Sequence, residues 1–379
     1  MKGNLLVMKA YRIIIVTTAA PPWQTGTAIN PLLRARALSK TGHQVILYVP
    51  YLEERDQRAV YPAALRFKTR EDHAHWIQEN YDCRQVDIRF YSGTWSRRWR
   101  SIFPVVPPHI DTKACDLLLL EEPERLLFAN AVIKFSGCQG RVVGIIHTNY
   151  GYFLQSALGN LFFTLVKPFL LFVIRRQLTR RCDRIIRLSS AVPAYSRSIS
   201  LNVNGVRDEF IELPMLTQET TDVVPYFVGK LVWEKGFDEL VDLLKRSHCH
   251  RMDIFGAGED RDRIDQYAQS QGIVFSMKGP TLSPTNDLAP YRVFINTSRS
   301  EVLCTTTAEA LAMGKWAIVP RHPSNEYFYD FATCLPYSSP EEFAMHLRKA
   351  LHDEPPVIHR DVFCWERATE RLLEAVFAA

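Results

Sequence analysis

Residues 12–31 read RIIIVTTAAPPWQTGTAINP. The opening Arg12-Ile13-Ile14-Ile15-Val16-Thr17-Thr18 is a short apolar run without polar alternation, the pattern of a strand buried on both faces. Residues 19–29 are rich in Pro, Gly and Thr and read as a loop. Asn30 then suits a helix cap, and Pro31 a first helical position. Strand, loop and helix in that order form the repeating unit of a parallel α/β sheet.

The rhythm continues downstream. Residues 44–50, 116–121, 141–147 and 184–189 read as strands, with a helix predicted over 123–135. The second half repeats it, with strands at 226–229, 251–255, 273–278, 292–296 and 316–320. Helices are expected over 236–245, 259–269 and 305–313, the last closed by Gly314. Two such halves imply an α/β chain of two Rossmann-like domains facing a cleft. The turn signal Asn202-Val203-Asn204-Gly205 divides 1–205 from 206–360. A helix over 365–377, within 361–379, is expected from the fold type to pack back on the first domain.

Bulk properties exclude several classes. The 379 residues are 47% hydrophobic and 23% charged, which is globular rather than disordered. The net charge of +5 is spread along the chain, against a nucleic-acid partner. None of the eight cysteines forms a CxxC pair, against a disulfide framework or zinc ribbon. His248-Cys249-His250 is too local to make a metal site alone. Residues 1–10 are short and mixed, without the pattern of a secretory signal. The apolar run 161–174 is broken by Lys167 and Pro168, and falls short of the about 20 residues a spanning helix needs.

Four features of the second half fall after strands, where open parallel sheets bind ligands. Gly229-Lys230 with Glu234-Lys235-Gly236 offers two ammonium groups and a helix start to a diphosphate. Gly-Lys alone reads more readily as a solvated surface loop, and Glu-Lys-Gly at this spacing reverses that reading. Phe255-Gly256-Ala257-Gly258-Glu259 is a glycine loop that lacks the third glycine of a dinucleotide fingerprint, yet suits close passage beside a ligand. Met277-Lys278-Gly279 ends a strand where backbone groups can read a base edge. The fourth feature is Glu301 to Glu309, two carboxylates eight positions apart around a helix start at Thr305-Thr306. Helix-start amides bind phosphate, Glu309 can accept from a ribose diol and Glu301 from sugar hydroxyls. Either glutamate alone reads as a solvated charge. Asp260-Arg261-Asp262 resembles a metal-carrying DxD but falls inside a predicted helix as a solvated face. Lysines and helix ends are therefore expected to stabilise the leaving diphosphate without metal.

Taken together, Gly229-Lys230, Glu234-Lys235-Gly236, Gly256-x-Gly258-Glu259 and Glu301-x7-Glu309 resemble the retaining GT-B glycosyltransferases. Longer blocks are similar to the digalactosyldiacylglycerol synthase family: residues 17–19 and 22–31, Glu121-Glu122-Pro123-Glu124, His147-Thr148-Asn149-Tyr150, Arg187-Leu188-Ser189, 304–315 and 322–326. The resemblance implies transfer of galactose from UDP-galactose to monogalactosyldiacylglycerol, forming α-linked digalactosyldiacylglycerol, with no metal or other cofactor. It implies that Gly26 and Thr27 approach the donor phosphates and that His147 lies at the reacting sugar. Lys230 and Lys235 would hold the diphosphate, Glu301 the sugar and Glu309 the ribose. One departure is that the plant enzymes carry the shorter aspartate where this chain has Glu301.

A lipid acceptor requires access to a bilayer. The apolar run 161–174 precedes Arg175, Arg176, Arg180, Arg181 and Arg184, so 161–187 reads as an interfacial segment that attracts anionic lipid, or as a buried helix at the domain junction. Residues 91–100 mix aromatic and basic side chains in the same sense, with a surface loop as the alternative. The expected location is a peripheral one on the cytosolic face of a membrane, the outer chloroplast envelope in a plant or alga. Alternatives are a transferase using UDP-glucose or another acceptor, and a UDP-sugar epimerase on the same fold. The epimerase would need no acceptor and no interfacial segment.

Overall fold

The computed structural model describes residues 9–97, 99, 101–105, 109–127, 134–136, 138–148, 160–213, 223–281 and 283–378, with 109, 134–136 and 160–167 as backbone only. The chain divides into two compact units. One holds Met1–Leu188, Pro193–Asn204 and Ala368–Ala379, and the other Ser189–Val192 and Gly205–Arg367.

The strands of the first unit are β1 (Arg12–Val16), β2 (Gln44–Leu52), β3 (Asp87–Ser96), β4 (Ser101–Pro104), β5 (His109–Asp111), β6 (Leu117–Glu121), β7 (Lys134–Ser136), β8 (Arg141–Ile146), β9 (Arg184–Arg187) and β10 (Ser198–Ser200). Eight of them form one sheet in the order β10-β9-β8-β6-β1-β2-β3-β4, with β5 and β7 as a separate pair. The large sheet is parallel apart from β4, which runs back against β3. Ile13 to Val16 and Leu117 to Leu120 are fully buried, as strands covered on both faces must be. The order reverses between β1 and β6, which makes their carboxyl ends the topological switch point.

The first helix departs from its expected start. It spans Gly26–Lys40, capped by Thr25, so Asn30 and Pro31 lie inside it. Pro31 has no N–H to donate to the carbonyl of Thr27, four residues back. The Thr17 hydroxyl donates to that oxygen instead, at 2.7 Å. The missing backbone bond thus becomes a tie between β1 and the helix. The helix expected over 123–135 is also shorter. It spans Pro123–Leu126, Phe135 lies in β7, and 128–133 are outside the described residues.

Residues 91–96 are the end of β3, which turns into β4. Tyr91 is buried and donates to Thr17 O at 2.8 Å, and Trp95 packs edge-on against Trp23 with centroids 5.3 Å apart. These two aromatics are turned to the protein, which weakens the interfacial reading of 91–100. Arg98 and Arg100 lie outside the described residues. The last helix spans Trp365–Phe377. In the first unit, Phe377 stacks on Tyr11 at 4.3 Å and Arg371 Nε donates to Asn202 O at 2.9 Å.

The second unit holds β11 (Tyr226–Val228), β12 (Arg251–Phe255), β13 (Val274–Gly279), β14 (Val293–Ile295), β15 (Trp316–Pro320) and β16 (Cys334–Tyr337). They form a parallel sheet in the order β13-β12-β11-β14-β15-β16, reversing between β11 and β14. The helix Phe237–Arg246 buries Phe237, Leu240, Val241 and Leu244, one stripe at helical spacing, into the core below the sheet.

Candidate functional site

The second unit gathers its candidates at the β11/β14 switch point. Val228 ends β11, and Gly229-Lys230 follow it with Lys230 exposed. Lys235 closes the short turn Trp233–Lys235 rather than opening a helix. The loop after β14 is clipped to this turn. Thr297 Oγ1 donates to Lys235 O at 3.1 Å, Ser300 Oγ donates to Glu234 O at 3.1 Å, and Lys235 Nζ pairs with Glu301 Oε1. Burial opposes the charge on Lys235, but Glu301, with Cys304 and Glu234 adding to it, holds its pKa above the ordinary lysine value. Two residues expected to meet a ligand separately are thus partners of each other.

Glu309 lies in the helix Thr305–Ala312, one turn in from Thr305 and Thr306. Cys304 caps this helix, accepts from Asn296 Nδ2 at 3.1 Å and contacts Thr306 Oγ1 at 3.2 Å, so the helix start is held against β14. The Glu309 side chain is partly exposed and makes no hydrogen bond or ion pair among the described residues. Dense surroundings lift its carboxyl to about 7, against which Arg207 acts only in part. A helix start with an unengaged carboxylate one turn in can hold an anion at the amides and a diol at the acid.

The glycine loop has a different explanation from the expected one. A Cβ on Gly256, which sits at φ 136°, would lie 1.9 Å from Gly229 O, and one on Gly258 would lie 2.1 Å from Leu231 O. Gly229 N donates to Phe255 O and Leu231 N to Ala257 O, both at 3.0 Å. Gly256 and Gly258 therefore let two backbone loops touch, and this packing alone accounts for both glycines. They shape the Gly229-Lys230 segment. Lys278, at the end of β13, pairs with Asp253 at 3.2 Å. Of the Asp260-Arg261-Asp262 triplet, Asp260 precedes the helix Arg261–Ser270 and accepts from Trp233 N at 3.3 Å, while Asp262 pairs with Arg261.

The first unit builds a second cluster at the β1/β6 switch point; the sequence points to Gly26, Thr27 and His147 as site residues and to Thr18, Glu121, Glu122 and Thr148 only within the blocks of resemblance, and it does not mark Arg34. Glu121 ends β6 and is wholly buried. Arg34, equally buried, donates to Glu121 Oε1 through Nε at 2.8 Å. His147, after β8, meets Glu121 Oε2 through Nε2. Burial alone would raise the Glu121 pKa, but Arg34 and then His147 hold it well below the carboxylate range. Glu122 follows in a left-handed conformation at φ 61° and accepts from Thr18 Oγ1 and, at 3.0 Å, from Thr148 Oγ1. Such strain in a non-glycine residue collects at functional sites. Asn149 and Tyr150 lie outside the described residues. Gly26 opens the first helix, and the nearest contact of a Cβ there would be Asn30 Nδ2 at 3.5 Å, so internal packing does not demand this glycine. Thr27 Oγ1 sits 3.2 Å from Thr25 Oγ1.

One signal for this cluster is present in the sequence. Glu121 closes an otherwise all-leucine strand and Glu122 follows it, and Arg34 stands directly after the apolar Leu32-Leu33 of its helix. Charges at such positions are buried only when paired.

The helix Asn160–Arg181 carries the proposed interfacial segment; the side chains of 160–167 lie outside the described residues. Ile174 and Leu178 face the core. Phe169 is 69% exposed and Phe172 59%, and exposed Arg176 and Arg180 continue the same face. No described helix is long and apolar enough to cross a membrane.

Two parallel α/β sheets, each with its candidate loops at the carboxyl ends of the strands beside a switch point, place the chain in the GT-B fold class. The fold matches the apo lipopolysaccharide outer core galactosyltransferase WaaB, with TM-score 0.57 and 14% identity, covering 97% of this chain and 99% of that one. It also matches Anabaena HepE solved in complex with UDP, with TM-score 0.57 and 11% identity over 97% and 95% of the two chains. Residues 214–363 match the sequence family described as glycosyl transferases group 1.

The chain belongs to the digalactosyldiacylglycerol synthase family. It is 36% identical to the chloroplastic digalactosyldiacylglycerol synthase 2 of Glycine max over 395 residues, covering 97% of this chain and 83% of that protein. It is 38% identical to the chloroplastic synthase 1 of Lotus japonicus over 96% of this chain, and spans about half (48%) of that relative's length.

Proposed function

We propose that the chain transfers galactose with retention from UDP-galactose to monogalactosyldiacylglycerol. The observation that carries this most is Glu309, a carboxylate with no hydrogen-bond or ion-pair partner among the described residues, one turn inside a helix whose preceding loop holds Glu301, the partner of Lys235. On this reading Glu309 binds the ribose hydroxyls, and the amides at Thr305 and Thr306 with Lys230 and Lys235 meet the diphosphate. Glu301 binds the transferred sugar. Gly26 and Thr27 approach the donor phosphates, and His147 serves the galactose.

The acceptor hydroxyl attacks the anomeric carbon on the face that the diphosphate leaves. The carbon–oxygen bond to the diphosphate breaks as the new glycosidic bond forms. The hydroxyl proton passes to the departing phosphate oxygen, and lysine and helix-start donors stabilise the charge that develops there. Incubation with UDP-galactose and vesicles of monogalactosyldiacylglycerol is expected to give the digalactosyl lipid. Product with UDP-glucose or a soluble sugar, and none with this pair, would overturn the assignment.

The acceptor is reached from a membrane surface through the Phe169, Phe172, Arg176 and Arg180 face of the helix Asn160–Arg181. Its distal apolar pair inserts, and its arginines meet anionic headgroups. Replacing Phe169 and Phe172 with Ser should lower binding to vesicles containing phosphatidylglycerol about 10-fold or more, at any salt. Replacing Arg176 and Arg180 with Gln should weaken it mainly at low salt. Sedimentation with vesicles measures both, and unchanged binding by the two variants would mean that another surface docks.

A further inference from the structure

The contacts of Glu121 determine where the proton sits on His147. Arg34 Nε can only donate, and it occupies Glu121 Oε1 at 2.8 Å. An ionised carboxylate can only accept, so Nε2 of His147 must be its donor. In the neutral ring Nδ1 is then an acceptor, and no hydrogen bond among the described residues uses it. Arg34 is itself fixed. Its Nη1 donates to Val203 O at 2.5 Å and its Nη2 to Asn204 Oδ1 at 2.9 Å, so it cannot turn away from Glu121. Arg34 and Glu121 are both 0% exposed, which makes the pair a rigid backing for the ring.

We propose that Glu121, locked by Arg34, is a positioning residue that sets the tautomer of His147 so that Nδ1 accepts a hydrogen bond from a hydroxyl of the transferred sugar. This rests on the placement of His147 at the reacting sugar. The isosteric E121Q tests it because Arg34 limits how a glutamine can sit. Arg34 Nε still requires an oxygen, so the amide oxygen turns to Arg34 and the NH2 group to His147. Nε2 must then accept, the proton moves to Nδ1, and the group offered to the sugar changes from acceptor to donor.

E121Q is expected to lower kcat about 100-fold, with the KM for UDP-galactose changed by less than about threefold. In protein labelled with nitrogen-15 histidine, the His147 signals, assigned by their loss in H147A, should exchange protonated and unprotonated nitrogens between wild type and E121Q. Adding E121Q to H147A should leave the kcat of H147A unchanged. An unchanged tautomer in a folded E121Q protein overturns the proposal, as does an equal further loss of kcat in the H147A background. If H147A alone keeps full activity, the placement of His147 at the sugar fails instead, and the nitrogen signals alone judge the tautomer lock.

Discussion

Glu309→Gln is expected to leave a folded protein whose donor KM has risen about 10- to 100-fold. Losing a hydrogen bond to a charged acceptor costs about 1.5–3 kcal/mol, which is that range. The carboxyl is lifted to about 7 by burial, with Arg207 opposing and Glu209 adding to the shift. Wild-type kcat/KM for the donor should therefore fall as pH drops through about 7, because the protonated acid no longer accepts from both hydroxyls of a diol. The glutamine variant should lack this acid limb. Stability should move the other way. A folded pKa above the ordinary 4.5 means that the native chain holds this proton more tightly than the unfolded one. The contribution of Glu309 is thus fully present below 4.5 and is lost as pH rises through about 7. At pH 8 the glutamine variant should melt a few degrees higher than wild type, and the gain should shrink toward pH 5. A lower melting temperature with unchanged donor kinetics would make Glu309 a structural residue.

The second large effect is on stability. Arg34→Leu leaves Glu121 charged, wholly buried and without its main cation. Breaking a buried pair from one side costs about 3–5 kcal/mol, and thermal unfolding should drop by about 10 °C. Removing Glu121 as well should recover part of this. The double variant Arg34→Leu with Glu121→Leu no longer buries a lone charge, but Val203 O and Asn204 Oδ1 still lack their donor. A calorimetric scan of the two variants decides the point. A single variant that melts with wild type would mean that the pair contributes nothing to stability.

The parallel sheets were legible because their central strands are uninterrupted apolar runs. Residues 13–16 and 117–120 face no solvent on either side, so hydrophobicity alone marks them. The peripheral elements were not. Nothing in Cys334-Leu335-Pro336-Tyr337 alternates or runs long, and it becomes β16 through pairing with Ala317 to Pro320. The helix start at Gly26 was misplaced because Pro31 is normally a first-turn residue, and only the distant hydroxyl of Thr17 makes it tolerable further in. The glycines at 256 and 258 were legible as a close approach, but not as to what approaches. Their partners, Gly229 and Leu231, are more than twenty residues away in sequence. Glu301 and Glu309 were picked together from their spacing. Tertiary contacts then separate them, one paired with Lys235 and the other left open.

The Lys235–Glu301 pair bears on turnover. On the proposed reading, the ammonium that meets the diphosphate carries its own counter-ion on the facing loop, tethered by Thr297 and Ser300. Any phosphate that engages Lys235 must compete with a carboxylate held at a high effective concentration by the chain itself. A sugar nucleotide offsets that competition by giving Glu301 hydroxyls to hold. Free nucleoside diphosphate has no such hydroxyls to offer, so the returning carboxylate helps to expel it. If Lys235 and Glu301 hold the donor as proposed, the same contact favours sugar nucleotide over spent donor and so aids product release.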